Sequence, residues 1–109
     1  MSYEVRLLAL ARLDLDRILS YVAARSPKGA TRLLARFEAA ITRLEENPFV
    51  APVAPETWEL EEEVRNIPFR TRAGRTYRAL FVVVGNEVRV LRVRGPGQAP
   101  LAPYELGVE

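Results

Sequence analysis

Residues 64–94 read VRNIPFRTRAGRTYRALFVVVGNEVRVLRVR and hold the strongest strand pattern of the chain. Arg75–Val84 and Glu87–Val93 are rich in branched and aromatic residues, and Gly85 and Asn86 lie between them. A Gly-Asn pair between two such runs suits a two-residue hairpin with the glycine at the position that needs positive φ. The register follows from that turn: Val84 faces Glu87, Val83 faces Val88, Val82 faces Arg89 and Phe81 faces Val90. Continued without a break, it sets Leu80 against Leu91, Ala79 against Arg92, Arg78 against Val93 and Tyr77 against Arg94. Side chains alternate along a strand. One face therefore carries Tyr77, Ala79, Phe81, Val83, Val88 and Val90, and the other Arg78, Leu80, Val82, Leu91 and Val93.

Both faces are largely apolar, and a short chain covers one face of a sheet with helices more easily than two. The expectation is a second face left open to a partner. The same stretch holds Arg65, Arg70, Arg72, Arg75, Arg78, Arg89, Arg92 and Arg94 against the single acid Glu87. Guanidinium stays charged and forks towards phosphate or carboxylate, so a polyanion or an acidic protein is the natural complement.

The whole chain, 109 residues with a net charge of +2, fits one domain over residues 1–109. Its basic character is local, because Glu56, Glu59, Glu61, Glu62 and Glu63 precede the arginine-rich hairpin and offset it. Cysteine and histidine are both missing. That excludes disulfides, thiolate or imidazole metal sites, and nucleophile systems built on either residue. No apolar run approaches the roughly 20 residues of a membrane span, and MSYEVRLL lacks the pattern of a signal peptide. A cytoplasmic protein is the expectation.

Outward from the hairpin, Tyr3–Leu8 alternates as a short strand. Ala11, Leu15, Ile18, Leu19 and Val22 recur at helical spacing, which predicts an amphipathic helix from about Ala11 to Arg25. Ser26 and Pro27 suit the N-cap and first position of a second helix. That helix is predicted to run to about Glu46 on a stripe of Ala30, Leu33, Leu34, Phe37, Ile41 and Leu44, and Asn47-Pro48 stops it. So short a connection makes the helices an antiparallel hairpin. Pro48–Pro55 reads as loop, Val64–Phe69 as a strand confined to an edge or an end by Pro68, Arg70–Gly74 as a turn, and residues 95–109 as a Pro/Gly-rich tail.

The order of these elements, with ALARLDLDRILSYVA in the first helix, SPKGATRLLARFEAAITRLEENP in the second, VRNIPF, the Tyr77-Arg78 pair and EVRVLRV, resembles the RelE/ParE superfamily of type II toxin–antitoxin toxins. Asp14, Leu15, Ile18 and Tyr21 are similar to the first helix of its ParE-like branch. The resemblance implies an α+β fold in which an N-terminal strand and an antiparallel helix hairpin pack on a three-stranded antiparallel meander. It implies a toxin that inhibits DNA gyrase by binding and is neutralised by a cognate antitoxin, with operator DNA reached only through that antitoxin. The alternatives are a RelE-like endoribonuclease that cuts messenger RNA on the ribosome, and an inactive member serving as an interaction or co-repressor module. No cofactor or metal is expected.

Site residues follow from the two readings. A gyrase inhibitor would use Arg75, Arg78, Arg92 and Arg94 towards its target. A RelE-like enzyme would use Arg70, Arg72, Arg78 and Tyr104. Without histidine, cleavage by 2′-hydroxyl attack must draw its proton acceptor from Tyr77, Tyr104 or an arginine, and arginine is a poor base. For the antitoxin, Leu80, Val82, Leu91 and Val93 form an apolar strip beside Arg89, suited to an acidic amphipathic segment. The competing reading covers that strip with the chain's own tail, through Leu101, Tyr104, Leu106 and Val108. The cluster from Glu56 to Glu63 reads as solvated or as neutralising part of the arginine face, and Trp58 as a core plug or loop anchor.

Overall fold

The computed structural model describes residues 2–59, 62–72, 74–98, 101 and 105, apart from the side chains of residues 58 and 59. Strand β1 (Glu4–Leu7) leads through Leu8 into helix α1 (Ala9–Arg25), and helix α2 (Pro27–Glu46) follows. A 3₁₀ turn at Pro48–Val50 and another at Pro55–Glu59 precede β2 (Arg65–Phe69), β3 (Tyr77–Val84) and β4 (Glu87–Arg94).

Ser26 alone separates the helices. Its φ of −154° and ψ of 99° break the helical path, and its side chain accepts a hydrogen bond from the Gly29 amide at 2.9 Å. Pro27 follows at the first helical position, where a missing N–H costs nothing. Asn47 repeats the device, ending α2 and accepting from the Phe49 amide at 3.1 Å.

The sheet has four strands in the order β1-β4-β3-β2. The predicted meander is present, and the N-terminal strand joins the same sheet by pairing in parallel with β4, from Glu4 opposite Glu87 to Leu7 opposite Val90. Beyond Leu7 the exposed edge of β4 passes to α1, because the Val93 amide donates to the Asp14 carboxylate at 3.0 Å. Gly85 takes φ +62°, as the tight turn requires.

The four register pairs nearest the turn stand as expected, but the ladder shifts between Leu80 and Phe81. Leu80 faces Arg92, Ala79 faces Val93 and Arg78 faces Arg94, which corrects the unbroken pairing of the far half. Leu91 is the extra residue of a bulge on β4. The slip moves Val93 out of the second face, and it packs with Ala79 in the helix-side core. No turn signal marks a bulge in the middle of a strand, so alternation alone misplaced this one residue.

The helices cover one face. Leu33, Phe37, Ala40 and Leu44 of α2 and Ala11 and Leu15 of α1 bury against Ile67, Phe69, Ala79, Phe81, Val88, Val90 and Val93. Phe69 meets Phe37 edge-on at 5.3 Å and stacks on Tyr77 at 5.7 Å. The second face, expected to be open, is closed by irregular chain. Leu80 (0% exposed), Val82 (5%) and Leu91 (3%) lie under Ala54, Val64 and Leu101, with Leu8 at the margin. Residues 51–57 run beside β2 and shield its edge, with the Ala54 amide on the Val64 carbonyl at 2.7 Å and the Asn66 amide on the Pro52 carbonyl at 2.9 Å. The Thr57 hydroxyl accepts from the Val64 amide and donates to its carbonyl.

Candidate functional site

The arginines singled out in the sequence divide into those the fold employs and those it leaves in solvent. Arg78 belongs to the first group. Its guanidinium grips Glu56 with both forks, at 3.1 and 2.7 Å, and the same carboxylate accepts from the Leu101 amide at 3.0 Å. Glu56 is 3% exposed. Burial raises its carboxyl pKa, but the hydrogen bonds from Arg78 and Leu101, aided by the Arg78 charge, outweigh that and hold it below the ordinary carboxylate value. One buried acid thus joins the loop, strand β3 and Leu101 in a clasp over the second face.

Arg92 is engaged in the same way. It pairs with Asp14 at 2.6 and 2.9 Å and donates to the Glu105 carbonyl. The Asp14 hydrogen bonds outweigh partial burial and raise its pKa further. Asp14 therefore ties α1 to β4 through both a side chain and the Val93 amide. Arg89 donates to Glu87, which also meets Arg6 at 3.4 Å. The Arg89 hydrogen bond is the main reason the Glu87 carboxyl sits below its ordinary value. Arg65 donates to the Ala51 carbonyl at 2.7 Å, pairs with Glu63 and lies over the Phe49 ring. Arg94, half-buried, sits opposite Arg78 in the ladder.

Arg70, Arg72 and Arg75 are exposed. They do not gather around Arg78. Arg70 lines a cleft of about 620 Å³ with Arg36, Arg43, Pro68 and Thr76, and Arg72 lines one of about 510 Å³ with Gly29, Arg32, Arg36 and Thr71. Arg75 belongs to a third cleft, of about 610 Å³, with Arg17, Tyr21, Tyr77, Gly95 and Gln98. The set expected of a RelE-like enzyme is split between the Glu56 clasp and the α2 side of the sheet, and Tyr104 lies outside the described residues, as do Leu106 and Val108. The set expected to touch a target divides likewise, with Arg75 in solvent and Arg78 and Arg92 in ion pairs.

Glu56 neutralises one arginine of the hairpin face, as one reading of the acid cluster has it, but nothing local sets it apart from Glu62 and Glu63, which stay exposed. Arg32, Arg36 and Arg43 lie off the apolar stripe of α2, exposed to solvent. Their spacing of four and seven residues places them on one stripe, with Ala39 and Ala40 between and no acid in it, and that pattern was visible. Among the described residues no group of three or more Asp or Glu side chains is placed to hold a metal ion, and no helix is long and apolar enough to cross a membrane.

No curated protein matches the chain. A solved structure, described as the chromosomal ParDE TA system from P. aeruginosa, superposes with a TM-score of 0.66 over 85% of this chain and 95% of that one, at 20% identity. That likeness establishes the fold. The family model for the ParE toxin of the type II toxin–antitoxin system, parDE, matches residues 5–100, which runs from β1 through β4 and past the turn that follows it. The chain is a member of the ParE toxin family of type II toxin–antitoxin systems.

Proposed function

We propose that this ParE-family toxin inhibits DNA gyrase by binding and leaves RNA intact, and that a cognate antitoxin silences it. The observation that carries the choice of binding over cleavage is the two-forked pair between Arg78 and buried Glu56. A ribonuclease of the RelE kind needs free cations to offset charge growing on phosphorus, with a proton acceptor beside them. Here the strand arginine is already neutralised by a carboxylate that would repel a phosphate. A binder needs no such convergence: it needs a stable frame with exposed charge, which Arg75 and the cleft around it supply. The decisive assay pairs gyrase supercoiling with messenger RNA cleavage on stalled ribosomes. Inhibited supercoiling with intact message is expected; cleaved message with gyrase unaffected would transfer the chain to the RelE-like reading.

For neutralisation, the favoured partner is an acidic amphipathic segment that lies on Leu80, Val82 and Leu91 and meets Arg89. Those side chains lie beneath Leu101, Ala54 and Val64, so the antitoxin gains them by lifting Leu101 from Glu56. Val93, packed on the helix side, plays no part in that surface. Adding antitoxin is expected to speed hydrogen exchange at the Leu101 amide while the β3–β4 ladder stays protected.

A further inference from the structure

Five arginines line the two clefts that meet at Arg36. Arg32, Arg36 and Arg43 project from one stripe of α2, and Arg70 and Arg72 face them from the end of β2 and the turn after it. All five are exposed, and none has an ion-pair or hydrogen-bond partner among the described residues. Among the described residues no acidic side chain lines either cleft. The rest of the lining is small or neutral: Gly29, Ala39, Ala40, Pro68, Thr71 and Thr76, above a buried Phe69.

Several arginines of the sheet are matched to carboxylate, as Arg78 is to Glu56, Arg92 to Asp14, Arg89 to Glu87 and Arg65 to Glu63. The five of the groove have no such match among the described residues, and they lie closer together than the other unpaired arginines, Arg12, Arg17 and Arg75, of which two share a cleft. Five like charges held side by side with no counter-ion repel one another, and a bound anion relieves this. From Arg32 to Arg43 the α2 row extends about 16 Å at 1.5 Å per residue.

We propose that the groove between α2 and the β2–β3 turn binds the phosphodiester backbone of a nucleic acid directly. The two rows straddle the backbone, and the forked guanidiniums suit its paired oxygens. Thr76 lines one cleft and Thr71 the other, and each carries a hydroxyl able to donate. An acidic protein segment fits less well. Peptide partners draw their affinity from large anchors in apolar pockets, and Phe69, the one large apolar residue lining these clefts among the described residues, is buried and offers little ring surface. A phosphodiester chain needs only charge and close approach, which small residues permit. The surface is separate from the clasp over Leu80 and Leu91, so the inference holds whether or not gyrase is the toxin's target.

The test measures binding of the purified full chain to labelled duplex DNA of arbitrary sequence, to single-stranded RNA of the same length and to polyglutamate, across about 50 to 200 mM salt. If all five arginines engage, log affinity for duplex falls against log salt with a slope of about −4.5. The pair Arg36→Ala and Arg72→Ala should weaken nucleic-acid binding by about tenfold or more and reduce the slope by about 2. Arg6→Ala with Arg12→Ala removes the same charge outside the groove and should change affinity less than about twofold, by the weakness of remote screened charges. DNA and RNA are told apart by which of the two binds more tightly. Failure of both to bind at the lowest salt, an equal loss from the outside pair, or groove-dependent binding of polyglutamate alone would overturn the proposal.

Discussion

The two faces of the sheet carry similar side chains and are covered by different means. On one, α1 and α2 lay regular stripes on Ala79, Phe81, Val88 and Val90. On the other, Leu80, Val82 and Leu91 are closed by a proline-rich loop and Leu101, held down by one buried carboxylate. Helical cover is distributed over many contacts and comes with its own backbone hydrogen bonds. Irregular cover must be pinned, and here the pin is polar. The first face is therefore a permanent core, while the second can open by losing a few specific bonds.

The largest expected effect breaks the helix side. Phe81→Ala removes a fully buried ring and should cost about 3–5 kcal/mol in chemical denaturation. Leu101→Ala on the other side should cost about 2 kcal/mol or less, the low end for a buried leucine whose site can collapse. Equal losses would mean that the two covers are energetically alike.

Next comes the pin itself. Arg78→Ala strands the Glu56 carboxylate in a buried place and should destabilise by about 3 kcal/mol. Replacing both partners, Arg78→Leu with Glu56→Leu, should recover most of that, because no charge is left orphaned. If the single variant is as stable as the parent, the pair is only decorative.

The smallest effect is a pH dependence. The Glu56 carboxyl is held below its ordinary value of 4.5, so its contribution is complete above that value and is lost as pH falls through the lowered native pKa. Acid titration of the thermal midpoint should show a decline in that range that Glu56→Gln reduces. An unchanged acid decline in the variant would place the effect on other carboxylates.

What was legible in the sequence was whatever repeats. Both helices, the Ser26-Pro27 junction, the Gly85-Asn86 turn and the meander follow from period and punctuation, and the chain's kinship showed in the order of those elements. Three things lay outside that reach. The bulge at Leu91 displaces one residue without a local signal. The parallel pairing of β1 with β4 joins residues more than eighty positions apart. Glu56 gains its role from Arg78 and Leu101, which only the folded chain brings to it. The arginines show the same limit: their number pointed to an anion, yet whether each meets a carboxylate of its own chain depends on tertiary contact.

The Leu101 amide reports most directly on whether the chain closes its own second face. Residue-resolved hydrogen exchange of the free protein should find that amide protected, and Glu56→Gln should speed its exchange while the β3–β4 amides hold. Exchange at the rate of an unstructured peptide in the unmodified chain would contradict the account, leaving Leu80 and Leu91 without the cover described for them.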